Sequence, residues 1–106
     1  MRKEIPLTVD MTSLTDEQFK QFIFVDIREP QERALEPVPG IRSEHLPLSQ
    51  FQQRKFSFEP DKQYIIFCAK GMRSMSLVEY LHGQGITNVR SLDGGMGAIE
   101  RRFPNS

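Results

Sequence analysis

The 106-residue chain holds one cysteine, Cys68, in the run Tyr64-Ile-Ile-Phe-Cys-Ala-Lys-Gly-Met-Arg-Ser74. A β-branched and aromatic stretch leads into it, and a short loop and a helical pattern follow. That order puts the thiol off the carboxyl end of a strand, where parallel α/β sheets bind ligands. It also puts it at a helix N-terminus, whose unpaired N–H groups and dipole favour negative charge. Gly71 allows a positive φ, which lets successive N–H groups turn inward. Lys70 and Arg73 add positive charge. Thiolates in such surroundings titrate at roughly 3.5–7.5 instead of about 8.5. The chemistry on offer is nucleophilic attack by sulfur, with Ala69, Lys70, Gly71, Met72 and Arg73 as the binding groups for an anionic reactant and Ser74 as a supporting one. The inert alternative makes Cys68 a small apolar residue closing a strand, with a solvated pair of cations. Strand, glycine, cations and helix together favour the reactive reading.

Two further candidates, Asp26 and Arg28, end the run Phe22-Ile-Phe-Val-Asp26. Asp26 could accept hydrogen bonds that order the catalytic loop, and Arg28 could steer anions. A local ion pair fixing the Glu29-Pro30 turn accounts for them equally well. His45 and His82 lack metal partners at recognisable spacing, so no metal or cofactor is expected and both read as surface residues. Met72 and Met96 could form an apolar lip for a partner protein, or simply pack.

The elements that must position these residues can be read from pattern. Leu7 to Val9 suits a short strand. Thr15-Asp-Glu-Gln18 has the form of a capping box opening a helix to about Phe22. Phe22 to Asp26, apolar until its last residue, predicts a strand buried on both faces. Pro30 suits the first turn of a helix reaching about Leu35, and Glu36-Pro-Val-Pro-Gly40 is a loop. His45 to Leu48 reads as a short extended piece, and Ser49 as the cap of a short helix through Gln53. Pro60-Asp61 marks a turn before the strand Tyr64 to Phe67. After the loop Ala69 to Met72, a helix of about ten residues carries Met75, Val78 and Leu81 on one face. Gly83 and Gly85 end it, one in the left-handed cap conformation. Asn88 to Leu92 is a strand, Gly94-Gly95 a tight turn, and Gly97 to Arg102 a last short helix. Strands alternating with helices imply an α/β layer fold around a mostly parallel sheet.

Bulk properties bound the function. The length suits a single domain over 1–106. Apolar residues make up 38% and charged residues 26%, with 14 basic and 14 acidic side chains. A zero formal charge gives no global field toward nucleic acid or an anionic membrane, so anion binding must be local. No apolar h-region follows Met1-Arg2-Lys3, and no run approaches the roughly 20 residues of a membrane span. The cytoplasm is the default compartment, and a lone thiol agrees with it.

The segments Phe24-Val-Asp-Ile-Arg28 with Glu29, Val38-Pro-Gly40, Cys68-Ala-Lys-Gly-Met-Arg73 and Asn88-Val-Arg-Ser-Leu-Asp-Gly-Gly95 resemble, in order and spacing, the single-domain members of the rhodanese (sulfurtransferase) family. The resemblance spans about Leu7 to Phe103. It implies a three-layer fold with a central five-stranded parallel sheet flanked by helices. It implies too that Cys68 accepts sulfane sulfur as a persulfide, from an anionic donor such as thiosulfate, and passes it to cyanide, a small thiol or a protein thiol. Two departures stand out. Ile99 lies near the place of the family's usual Trp, and Ile41 to Pro47 lacks the usual wording, which leaves His45 without a counterpart. The cationic loop favours thiosulfate over mercaptopyruvate. One rival is a Cys-dependent phosphatase or arsenate reductase, whose loop is one residue longer. Another is a delivery domain serving a dedicated partner in tRNA or cofactor thiolation. A catalytically silent signalling module fits the intact loop poorly.

Overall fold

The computed structural model describes residues 6–51 and 57–104. The two apolar runs become neighbouring central strands, β2 (Phe22–Asp26) and β4 (Gln63–Phe67), paired in parallel from Phe22↔Gln63 to Asp26↔Phe67. β1 (Thr8–Val9), β3 (Ser43–His45) and β5 (Val89–Leu92) complete a five-stranded sheet in the order β1-β5-β4-β2-β3. Every pairing is parallel. Among the described residues three α-helices lie between strands, α1 (Asp16–Gln21), α2 (Pro30–Leu35) and α3 (Met72–Gly83), and a fourth, α4 (Gly95–Arg102), follows β5. The α/β fold with its flanked parallel sheet is thus as expected.

Period-two alternation sorts the sheet's side chains into two cores. Phe24, Ile65, Phe67 and Leu92 pack with Met96, Ala98 and Ile99 of α4 on one face. Val25, Ile66, Cys68 and Val89 pack with Leu77, Val78 and Leu81 of α3 on the other. Cys68 continues the Tyr64–Ile66 phase of β4, so the strand aims it at α3 before the loop begins. Ile99 is fully buried in the α4 core.

Local chemistry explains the helix starts. Thr15 Oγ1 accepts from the Gln18 amide at 3.2 Å and Gln18 Oε1 from the Thr15 amide at 2.8 Å, the capping box expected of α1. Pro30 opens α2, and Glu32 returns a carboxylate oxygen to the Glu29 amide at 2.7 Å. Gly71 is the N-cap of α3 with φ of 102°, a conformation costly for a side chain-bearing residue. Past the end of α3, Gly85 is the left-handed glycine, with φ of 86°.

Several expectations need correction. The helix after the cysteine begins at Met72, so Met72 and Arg73 form its first turn. That start rotates the buried face: Ser74 and Leu77 are inside with Val78 and Leu81, whereas Met75 is only half-buried. The extended piece is Ser43–His45, not 45–48, because β3 takes its partners from β2. Ser49 lies within a 3-10 turn, Leu48–Gln50, and its hydroxyl and amide go to the Glu29 carboxylate, so it caps no helix. The remainder of the expected helix, to Gln53, lies outside the described residues. α4 begins at Gly95, two residues early, and a 3-10 turn at Met11–Ser13 is capped by the Asp10 carboxylate. Among the described residues no helix is long and apolar enough to cross a membrane.

Candidate active site

β4 ends at Phe67, and the chain then turns sharply through Ala69–Gly71 into α3. The turn folds the helix N-terminus back over the sulfur. Gly71 N lies 3.1 Å and Ser74 N 3.4 Å from Cys68 Sγ, and Ser74 Oγ lies 3.6 Å away. Cys68 is 1% exposed. Burial pushes the thiol up, but the Ser74 amide and hydroxyl and the Gly71 and Lys70 amides outweigh it, and the group sits below its ordinary value. These are dipoles aimed at a sulfur anion, the condition for a stabilised thiolate. The sulfur was expected to lie exposed at the mouth of a ring of inward-pointing amides, and its burial corrects that expectation. It lies beneath the loop, and Ser74, the first residue beyond the span Ala69 to Arg73, supplies both an amide and a hydroxyl.

The loop is held from below by α4. Met96 N donates to the carbonyl oxygens of Cys68 and Ala69 at 3.0 and 3.1 Å. Gly95, with φ of 53°, allows this approach, since a Cβ there would overlap the Cys68 carbonyl oxygen. The paired glycines 94 and 95 therefore do more than turn the chain: they let α4 grip the floor of the loop.

The two loop cations differ in their surroundings. Lys70 is exposed. Arg73 is bound by both oxygens of Glu32 from α2, at 2.8 and 2.9 Å. The Arg73 hydrogen bonds hold the Glu32 carboxyl down at about 2. Arg73 also feels the Cys68 charge, but most of its own is matched by Glu32. Met72 is 78% exposed at the rim, whereas Met96 is buried in the α4 core and contributes nothing to a lip.

Asp26 and Arg28 stand apart from the sulfur's hydrogen bonds. Asp26 accepts from the Arg28 amide at 2.9 Å, from the Arg28 guanidinium at 3.0–3.2 Å and from Arg33 at 3.0 Å. Arg28 is 1% exposed and therefore cannot steer anions from solvent. The pair is the local ion pair, and it braces the turn whose Ile27 amide donates to the Phe67 carbonyl, next to Cys68, at 3.0 Å. His45 and His82, read as surface residues, are half-buried, and each is tied to a backbone carbonyl. Their Nε2 atoms lie 2.8 Å from the carbonyl oxygens of Arg28 and Val89, tying the β2 and β5 ends to neighbouring elements. Among the described residues no cluster of His, Cys, Asp and Glu could hold a metal ion.

Sequence reasoning missed Glu32, Gly95 with Met96, and Ser91. Ser91 on β5 shares the α3 face with Val89, and its Oγ lies 2.6 Å from Ser74 Oγ. A polar residue on an otherwise apolar strand face was the available signal, since a buried hydroxyl needs a partner.

Comparison with known proteins agrees with this geometry. Residues 10–102 match the rhodanese-like domain. The chain is 32% identical over 81 residues to the putative sulfurtransferase YtwF of Bacillus subtilis, covering 76% of each chain. It is 37% identical over 83 residues to the thiosulfate sulfurtransferase GlpE of Ectopseudomonas mendocina, covering 78% of this chain and 74% of that one. The crystal structure of a rhodanese-related protein from Thermoplasma volcanium superposes with a TM-score of 0.74 at 31% identity, covering 92% of this chain and 94% of that one. The chain belongs to the rhodanese-like family of sulfurtransferases.

Proposed function

We propose that the protein takes sulfane sulfur from a small anionic donor, thiosulfate foremost, onto Cys68 and hands it to an external thiol or to cyanide. The observation that carries this reading is the pair of amides, Gly71 N and Ser74 N, both directed at Sγ. The similarity to a thiosulfate sulfurtransferase supports the choice of donor. The Cys68 thiolate attacks the outer sulfur of thiosulfate; the S–S bond breaks and sulfite leaves with the electron pair. The terminal sulfur of the persulfide then carries the negative charge, and the N–H groups of the loop Ala69 to Arg73 stabilise that charge. An incoming thiolate or cyanide attacks this terminal sulfur, giving a new persulfide or thiocyanate and restoring Cys68. No proton is needed at either step, so Lys70 acts by its charge and not as a general acid. It is the exposed cation of the loop, because Arg73 is occupied by Glu32. The chain has one cysteine, so the acceptor comes from outside these residues. A protein thiol as acceptor is a second reading, favoured by the exposure of Met72 beside the loop.

Intact mass measured after incubation with thiosulfate tests the proposal. The protein gains about 32 Da, one sulfur, and loses it on adding cyanide as thiocyanate appears; Cys68→Ser gains nothing. A wild-type mass that stays unchanged, or hydrolysis of an aryl phosphate in place of sulfur transfer, would overturn it.

A further inference from the structure

The hydrogen bonds around the sulfur do not stop at the loop. Ser74 is fully buried, and its Oγ lies 3.6 Å from Sγ, 3.2 Å from the Gly71 carbonyl oxygen and 2.6 Å from Ser91 Oγ. A hydroxyl has one proton to give, so Ser74 can serve only one of these neighbours as donor. Ser91 is 2% exposed, and Ser74 is the one partner of its hydroxyl among the described residues. A buried O–H without an acceptor is costly, so the Ser91 proton goes to Ser74. The Ser74 proton is then left to choose between Gly71 and the sulfur. The Gly71 carbonyl already accepts the Met75 amide of α3 at 3.0 Å, and a thiolate is the stronger acceptor.

We propose that Ser91 is a positioning residue for Cys68, its hydroxyl donating to Ser74 so that the Ser74 proton is aimed at Sγ. The chain runs from β5 to α3 to the strand end of β4, and it holds while the charge is on Sγ. When Sγ becomes the inner, uncharged sulfur of a persulfide, the Ser74 proton turns to the Gly71 carbonyl. Only this last clause rests on the sulfur-transfer reading.

The test follows the ultraviolet absorbance of the thiolate against pH, with Cys68→Ser as the baseline. It needs neither a sulfur donor nor access of a reagent to the buried atom, so its failure is separate from a failure of persulfide formation. The charged groups around the sulfur and its loop are Lys70, Arg73 with its partner Glu32 from α2, Asp93 at the end of β5, and the Asp26–Arg28–Arg33 cluster at the end of β2. All of them are unchanged by substitution at 91. Ser91→Ala is expected to raise the titration midpoint by about half to one pH unit, a threefold to tenfold loss of thiolate below it. Ser91→Thr, which keeps the hydroxyl, restores the midpoint. Ser74→Ala shifts it at least as far, and Ser74→Ala with Ser91→Ala shifts it no further than Ser74→Ala alone. A Ser91→Ala midpoint equal to wild type would overturn the proposal, as would additive shifts in the double variant or failure of Ser91→Thr to rescue.

Discussion

The carboxyl ends of β2 and β4 lie side by side, and each carries a buried side chain able to hold negative charge. At the end of β2, Asp26 is closed off by two guanidinium groups, with Arg28 and Arg33 both at 3.0 Å. At the end of β4, Cys68 meets amides and a hydroxyl, and Arg73, which also feels its charge, is paired with Glu32. Full counter-charges pin an anion in a fixed ion pair and leave it little tendency to react. Dipoles lower its energy while keeping its lone pairs available. The sheet thus places two anion sites on adjacent strands and, through the groups that face them, makes one a brace and suits the other to the nucleophile role proposed for Cys68.

Asp26→Asn is the severest test of that contrast. It leaves two buried or half-buried arginines without their carboxylate, and stability in urea should fall by about 3–5 kcal/mol. Sulfur transfer per folded molecule should stay near wild type. Normal stability with lost transfer would reverse the assignment of brace and nucleophile. Gly95→Ala comes next. A methyl group there meets the Cys68 carbonyl at a φ of 53°, so about 1–3 kcal/mol of stability is lost to strain. Displacement of the loop should also cost sulfur transfer about a hundredfold. A variant that keeps full activity would show that α4 does not set the loop.

Glu32→Gln has the smallest effect and is read best against pH. The folded carboxyl sits at about 2, below its ordinary value of 4.5. Its contribution is therefore complete above that ordinary value and disappears as pH falls through about 2. Stability of the wild type should drop over this window more steeply than that of Glu32→Gln. The side chain is 34% exposed, so solvent screening keeps the difference below about 1 kcal/mol. Equal slopes would mean that Glu32 does not hold Arg73 in solution.

The central strands were legible in the sequence for one reason. Phe22 to Val25 and Tyr64 to Phe67 are apolar and β-branched or aromatic throughout, and no other element suits such runs. The edge strand Ser43–His45 was not, because its polar residues are extended by pairing with β2 and not by their own preference. The burial of Met96 and the ties made by His45 and His82 also escaped. Composition gives a residue's chemistry but not its depth, and each of these is placed by contacts distant in sequence. The phase of α3 turned on where Gly71 caps it: a start at Met72 brings Ser74, not Met75, beneath the loop. Pairings such as Glu32 with Arg73 follow from tertiary approach alone, across 41 positions.

The grip of the Met96 amide on the Cys68 and Ala69 carbonyls makes the reactive loop the product of two distant stretches of chain. A peptide carrying only β4, the loop and α3 would possess every donor that faces the sulfur and still lack the clasp that bends them toward it. The amides that lower the thiol's titration would then be held in place only once α4 has packed beneath the loop.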